Sequence, residues 1–131
     1  MRGIIFGDIK GKYMKTYVDI LGERYHIFIH KVDEDEYLKK NHLDGYCNSI
    51  LHEIVIADLK DLYSEWTEKE REIYQKHLLR HECIHAFLDS SAIQDCALQY
   101  DNAWAKNEEM VDWIAIQFPK MLEAFKWLEC L

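Results

Sequence analysis

The sequence predicts one α+β domain over residues 1–131, with a small β-sheet first and two long helices after it. Three observations predict this class. Apolar residues alternate or cluster in short β-branched and aromatic runs before residue 58, and recur at three- and four-residue spacing after residue 67. The composition is that of a packed chain, 49% apolar and 13% aromatic with 1 proline and 5 glycines. No internal repeat or linker interrupts it.

The first half reads as strands. Tyr17, Val18, Ile20 and Leu21, then Tyr25, Ile27 and Ile29, flank Gly22-Glu23 and signal a hairpin. His26 and His30 alternate on one face of its second strand and are expected to face solvent. Asp33 to Lys40 is charged and reads as a short exposed helix or loop, punctuated by Asp44-Gly45. Tyr46 to Asp58, centred on Ile50 to Ile56, reads as a third strand. Its alternation sets Ile50, His52, Ile54 and Ile56 on one face and Leu51, Glu53 and Val55 on the other.

The second half reads as helices. Thr67 and Glu70 form a capping-box pattern, and Ile73, Tyr74, His77, Leu78, His81, Ile84, His85 and Leu88 follow at helical spacing, predicting a helix over about 68–89. Residues 89–105 read as a connection holding at most a short helical turn. Met110, Trp113, Ile114, Gln117, Phe118, Met121, Leu122, Phe125 and Leu128 mark a second long helix, kinked or broken near Pro119.

Charge and cysteine usage narrow the function classes. The net charge is −8, and the excess of acid lies after residue 31, so no basic stripe is available to grip nucleic acid. No window approaches 18 uncharged apolar residues, and the apolar run before Asp8 is too short for a signal-peptide core. A soluble cytoplasmic protein without membrane contact is expected. Cys47, Cys83, Cys96 and Cys130 contain no CxxC pair and read as free thiols, largely buried.

One constellation carries chemistry. His81-Glu82-Cys83-Ile84-His85 is an HExxH placed inside the first long helix. Residues at i and i+4 project from one face, so both imidazoles can converge on one zinc ion while Glu82 stands beside them as a general base. A catalytic zinc takes three protein ligands and keeps one position open, so a third ligand must come from elsewhere. Asn107-Glu108-Glu109-Met110-Val111-Asp112 begins the next helix. Glu108 and Asp112 share a face there, so Glu108 can bind the metal while Asp112 accepts a hydrogen bond from a ligand histidine. Glu109 is the rival third ligand. His77 extends the histidine stripe by one turn, but a third helical histidine would crowd the open position, and it is expected beside the site. Tyr100 and Trp104 are candidates for the cleft wall, with ordinary packing as the competing role.

These motifs resemble the gluzincin metallopeptidases, in which HExxH is completed by a glutamate on a later helix in an NExxxD-like context, matched here by NEEMVD from Asn107 to Asp112. The strands before the HExxH helix and the run EEMVDWIA from Glu108 to Ala115 are similar to the compact ImmA/IrrE-like metallopeptidases of bacteria and phages. The likeness covers about residues 46–119, and the chain departs from that group in having Ile84 before the second histidine and Asp112 where asparagine is frequent. The resemblance implies a zincin-like fold and a protein substrate such as a repressor of a mobile element.

The reading that follows is a zinc-dependent peptidase acting on a peptide or protein, with His81, His85 and Glu108 on the metal and Glu82 as base. The alternative is a non-catalytic zinc module with a closed four-ligand site, completed by Cys96 or His77. In the first reading, the strand over Ile50 to Ile56 is expected to form the sheet edge at the cleft, where a substrate chain adds antiparallel.

Overall fold

The computed structural model describes residues 15–91 and 107–131, together with the backbone of two short antiparallel strands, β1 (Asp8–Ile9) and β2 (Lys12–Tyr13). The predicted hairpin forms next, as β3 (Tyr17–Ile20) and β4 (Glu23–His30). Leu21 and Gly22 make its two-residue turn, both at positive φ (51° and 84°), the backbone twist that matches tightly turned antiparallel strands. Asp35 then caps helix α1 (Glu36–Asn41), its carboxylate accepting from the backbone N–H of Tyr37 and Leu38 at 3.0 Å each.

The segment read as one strand from Tyr46 to Asp58 is instead a hairpin of β5 (Gly45–Asn48) and β6 (Glu53–Ala57). The Asn48 side chain accepts from Ile50 N and Leu51 N, and His52 adopts φ 54°. That local turn leaves Ile50 exposed at its tip despite its apolar character.

The four strands lie in the order β3-β4-β6-β5, with β4 and β6 parallel and the other pairs antiparallel. β6 is therefore interior, hydrogen-bonded on both sides. The expectation that Ile50 to Ile56 forms the edge at the cleft is overturned, and the edge there is β5. The alternation within β6 does hold. Ile54 and Ile56 join Ile20, Tyr25, Ile27 and Ile29 in a core under the first long helix, while Val55 and Ala57 pack with Leu38 and Phe28 on the opposite, α1 side. A sheet with both faces covered has little room for polar residues, which is why β6 reads EIVIA.

After a single turn, α2 (Leu59–Leu62), the capping box operates as predicted: Glu70 N donates to Thr67 Oγ1 at 3.1 Å, and Thr67 N donates to Glu70 Oε1 at 3.2 Å. It opens α3 (Glu68–Ser90), which packs on the sheet through Leu78 and Ala86. The last helix, α4 (Glu108–Trp127), runs through Pro119 without a break, and its fully buried residues are Val111 and Ala115. Trp113, Phe118, Met121, Phe125 and Leu128, whose spacing marks the helix in the sequence, are exposed. No helix among the described residues is long and apolar enough to cross a membrane.

Arg80 explains how Pro119 is tolerated. Proline has no N–H for the carbonyl four residues earlier, which is that of Ala115. Arg80 Nε donates to the Ala115 oxygen at 2.7 Å and joins α3 to α4 one residue before the HExxH begins. Arg80→Ala should destabilise the fold by about 1–3 kcal/mol, the usual cost of orphaning a buried acceptor. Pro119→Ala restores a backbone donor, so urea unfolding should show a smaller loss for Arg80→Ala in that background. Equal losses in both backgrounds would reject the account.

Candidate metal centre

α3 carries His77, His81, Glu82 and His85, and the first turn of α4 brings Glu108 and Asp112 across to them. Asn107 sets that first turn by accepting from Met110 N at 2.8 Å. His81 Nε2 and His85 Nε2 lie 3.2 Å apart, and Glu108 Oε2 lies 3.1 Å from the first and 3.2 Å from the second. Three ligand atoms on one face of a tetrahedron with metal bonds of about 2.0–2.1 Å stand roughly 3.3–3.4 Å apart, so the triangle comes close to the size of a face on which a metal ion could be held. Glu109 belongs to no such group among the described residues.

The other nitrogen of His81 is also committed. Nδ1 lies 3.0 Å from Asp112 Oδ1, the carboxylate contact that orients a metal-bound imidazole. His77 Nε2 meets the same oxygen at 2.7 Å. That is hydrogen-bond spacing, and it places His77 behind Asp112 rather than at the His81–His85–Glu108 triangle. His77, His81 and Asp112 form a second close group of potential ligands, with His81 shared between the two.

Glu82 lies between the histidines and the sheet edge, its Oε1 4.0 Å from His81 Nε2, and is 5% exposed. Burial pushes its pKa up to about 7, against the opposing pull of His85 and His81. Gly45 in β5 makes room for it. A Cβ at residue 45 would stand 3.0 Å from the Val55 carbonyl oxygen and 3.4 Å from Glu82 Oε1, so a side chain there would press on the sheet backbone and touch the carboxylate.

The remaining sequence expectations resolve unevenly. Tyr100, Trp104 and Cys96 lie outside the described residues. Cys83 packs against the core beneath the helix, and Cys47 does the same from β5, while Cys130 is exposed. His26 is exposed as expected, but His30 is not: its Nδ1 lies 2.7 Å from the buried Asp35, which also accepts from Tyr46 Oη at 2.8 Å. The residues around the site that sequence reasoning missed are Asp44, Gly45, Tyr63 and Tyr74. Tyr74 was detectable, since it continues the His77 and His81 stripe. Asp44 and Gly45 come from another element and gave no local signal.

β5, α3 and the start of α4 enclose a cavity of about 980 Å³ into which the His81–His85–Glu108 group opens. No family model, curated protein or solved structure matches the chain, so the site is read from its own geometry.

Without metal, the site holds a proton that a zinc ligand cannot keep. Burial opposes charge on His81, but its hydrogen bonds to Glu108 and Asp112 outweigh that and raise its pKa to about 9. Hydrogen bonds from His81 and His85 hold Glu108 well below the usual carboxylate range. At pH 7, zinc uptake should therefore release about one proton from His81, and affinity should rise by up to about tenfold per pH unit until pH 9. Calorimetry in buffers of different ionisation heat measures this; uptake with no proton release would contradict it. Stability of the metal-free protein has the matching sign. His81 contributes stability that is complete below its unfolded value near 6.5 and is lost as pH rises through 9.

Proposed function

We propose that this protein is a zinc-dependent peptidase of zincin-like type, with His81, His85 and Glu108 as metal ligands and Glu82 as general base. The observation that carries the reading is the tetrahedral-face spacing of three ligand atoms on two helices, with a buried carboxylate on the residue next to the first histidine. When bound, zinc would acidify a water and polarise the peptide carbonyl. Glu82 would take the proton from that water and return it to the leaving amine; a pKa near 7 suits both steps near neutral pH. Asp112 would hold His81 in the tautomer that leaves Nε2 free for the metal.

The edge strand supports a peptide as substrate. Asp44 O accepts from Ala57 N, so hydrogen bonding to β6 alternates from there and leaves the N–H and C=O of Gly45 and Cys47 facing outward. An extended chain adding to β5 would bond to those groups beside Glu82. The closed zinc module is less well supported. His77, one of its candidate fourth ligands, is engaged with Asp112, and Glu82 is buried rather than an incidental surface carboxylate.

The test is hydrolysis of fluorescence-quenched peptide pools by zinc-loaded protein. Cleavage that stops on chelation and returns with zinc is the expected result. A zinc-replete protein that cleaves no pool, at any concentration at which it binds peptide, would leave the non-catalytic module as the better account.

A further inference from the structure

Asp44 lies where β5 begins, and its carboxylate is held from two directions. Tyr63 Oη donates to Oδ2 at 2.7 Å and Tyr74 Oη donates to the same oxygen at 2.5 Å. Both phenols are kept protonated, burial and the neighbouring Asp44 charge each pushing their pKa values up. The backbone of Asp44 is fixed too, through the bond from Ala57 N to its carbonyl. Both tyrosine hydroxyls converge on Oδ2, and Oδ1 has no hydrogen bond among the described residues. The carboxylate is only half-buried, so this oxygen can meet a ligand.

The surroundings select the ligand. Asp44, Tyr63 and Tyr74 line the same cavity as the metal-ligand group. Its described lining includes five carboxylates and no lysine or arginine, so away from the metal-ligand group an anionic side chain would meet repulsion. Trp66 stacks on Tyr63 with ring centroids 4.1 Å apart, and Tyr74 sits edge-on to both rings. A carboxylate fixed among aromatic rings favours a cation twice, by ion pairing and by attraction to the ring faces.

Position also fits. Tyr74 precedes His81 by seven residues, about 10 Å along α3, and Asp44 adjoins Gly45, whose absent Cβ borders Glu82. Residues of an extended chain are about 3.4 Å apart, so a long side chain one or two residues from the scissile bond covers that distance. From this geometry we infer that Asp44, framed by Tyr63 and Tyr74, is a specificity determinant that binds a lysine or arginine side chain of the substrate near the cleaved bond. The inference rests on the peptidase reading for the word substrate, but the subsite can be tested by binding alone.

The probes are quenched octapeptide pools, random except for one position fixed in turn as Lys, Arg, Leu or Glu. Zinc-loaded wild type should cleave the Lys and Arg pools at least about tenfold faster than the Glu pool, and zinc-loaded Glu82→Gln protein should retain the same pools selectively in a pull-down. Asp44→Asn keeps an oxygen for the two tyrosines, so it should fold and hold zinc while its Lys-to-Leu ratio falls toward one. Asp44→Lys should shift preference to the Glu pool. A wild type that shows no preference for the basic pools, in cleavage or retention, overturns the subsite without any variant. An unchanged ratio in folded, zinc-loaded Asp44→Asn overturns the assignment to Asp44. If nothing is cleaved but basic pools are retained, the peptidase reading fails and the subsite stands.

Discussion

Replacing His81 or His85 with alanine is expected to reduce bound zinc from one equivalent per chain to less than about a tenth, because two ligands hold the ion far more weakly than three. The paired spacing supports one ion and not a looser association. The two Nε2 atoms are 3.2 Å apart and stand 3.1 and 3.2 Å from the same Glu108 oxygen, so losing either opens the triangle. Asp112→Asn should be milder, weakening binding by about 10–100-fold, since Asp112 touches His81 Nδ1 and not the metal position. Zinc should also raise the melting temperature of the wild type. A ligand that binds only the folded state at a hundred times its dissociation constant adds about 2.7 kcal/mol, and the histidine variants should lack that gain. Plasma emission spectrometry on protein refolded with zinc decides the matter. A wild type holding less than about a tenth of an equivalent would sink the metal assignment and the peptidase reading with it.

Glu82→Gln is expected to keep the zinc and the fold while lowering hydrolysis by at least about 10²-fold, the lower range for loss of a positioned general base. Glutamine fills the space beside Gly45 equally well but cannot take a proton near neutral pH. The same change should raise the stability of the metal-free protein above pH 7. Burial makes ionisation of Glu82 costly there, and a neutral amide removes that cost. Gain of stability with loss of activity is the signature of a residue kept for its chemistry. If Glu82→Gln protein cut the peptide pools as fast as wild type, the role given to Glu82 would be wrong.

Much of this site was legible because its parts are local. HExxH sets two imidazoles one helical turn apart through backbone geometry alone, and the Thr67–Glu70 box announces the helix that carries them. Glu108 and Asp112 were readable as a face for the same reason. His77 was placed beside the site from crowding, and its contact with Asp112 agrees with that placement. The exposed apolar residues of α4 show the limit of the method. Periodicity identified the helix, but the packed stripe runs through the small Val111 and Ala115, and hydrophobicity alone favours the large side chains.

The segment from Tyr46 to Asp58 failed for a different reason. Its apolar run continues through Ile50 and Leu51, so composition gave one strand, while the Asn48 side chain and the positive φ of His52 fold it into two. That turn moves β6 to the interior and hands the cleft edge to β5, and it brings Asp44 and Gly45 to the cavity.

The sequence by itself determined the class of fold, the two long helices and the residue types of the candidate metal centre, because helical periodicity, capping and i, i+4 spacing act within a few residues. Only the tertiary structure decided which strand lies at the edge, which glutamate of the Glu108-Glu109 pair meets the histidines, and that Arg80 serves the carbonyl orphaned by Pro119. Those outcomes depend on pairings between segments far apart in the chain, set by burial and hydrogen-bond satisfaction across the whole fold, which leave no mark in any local window.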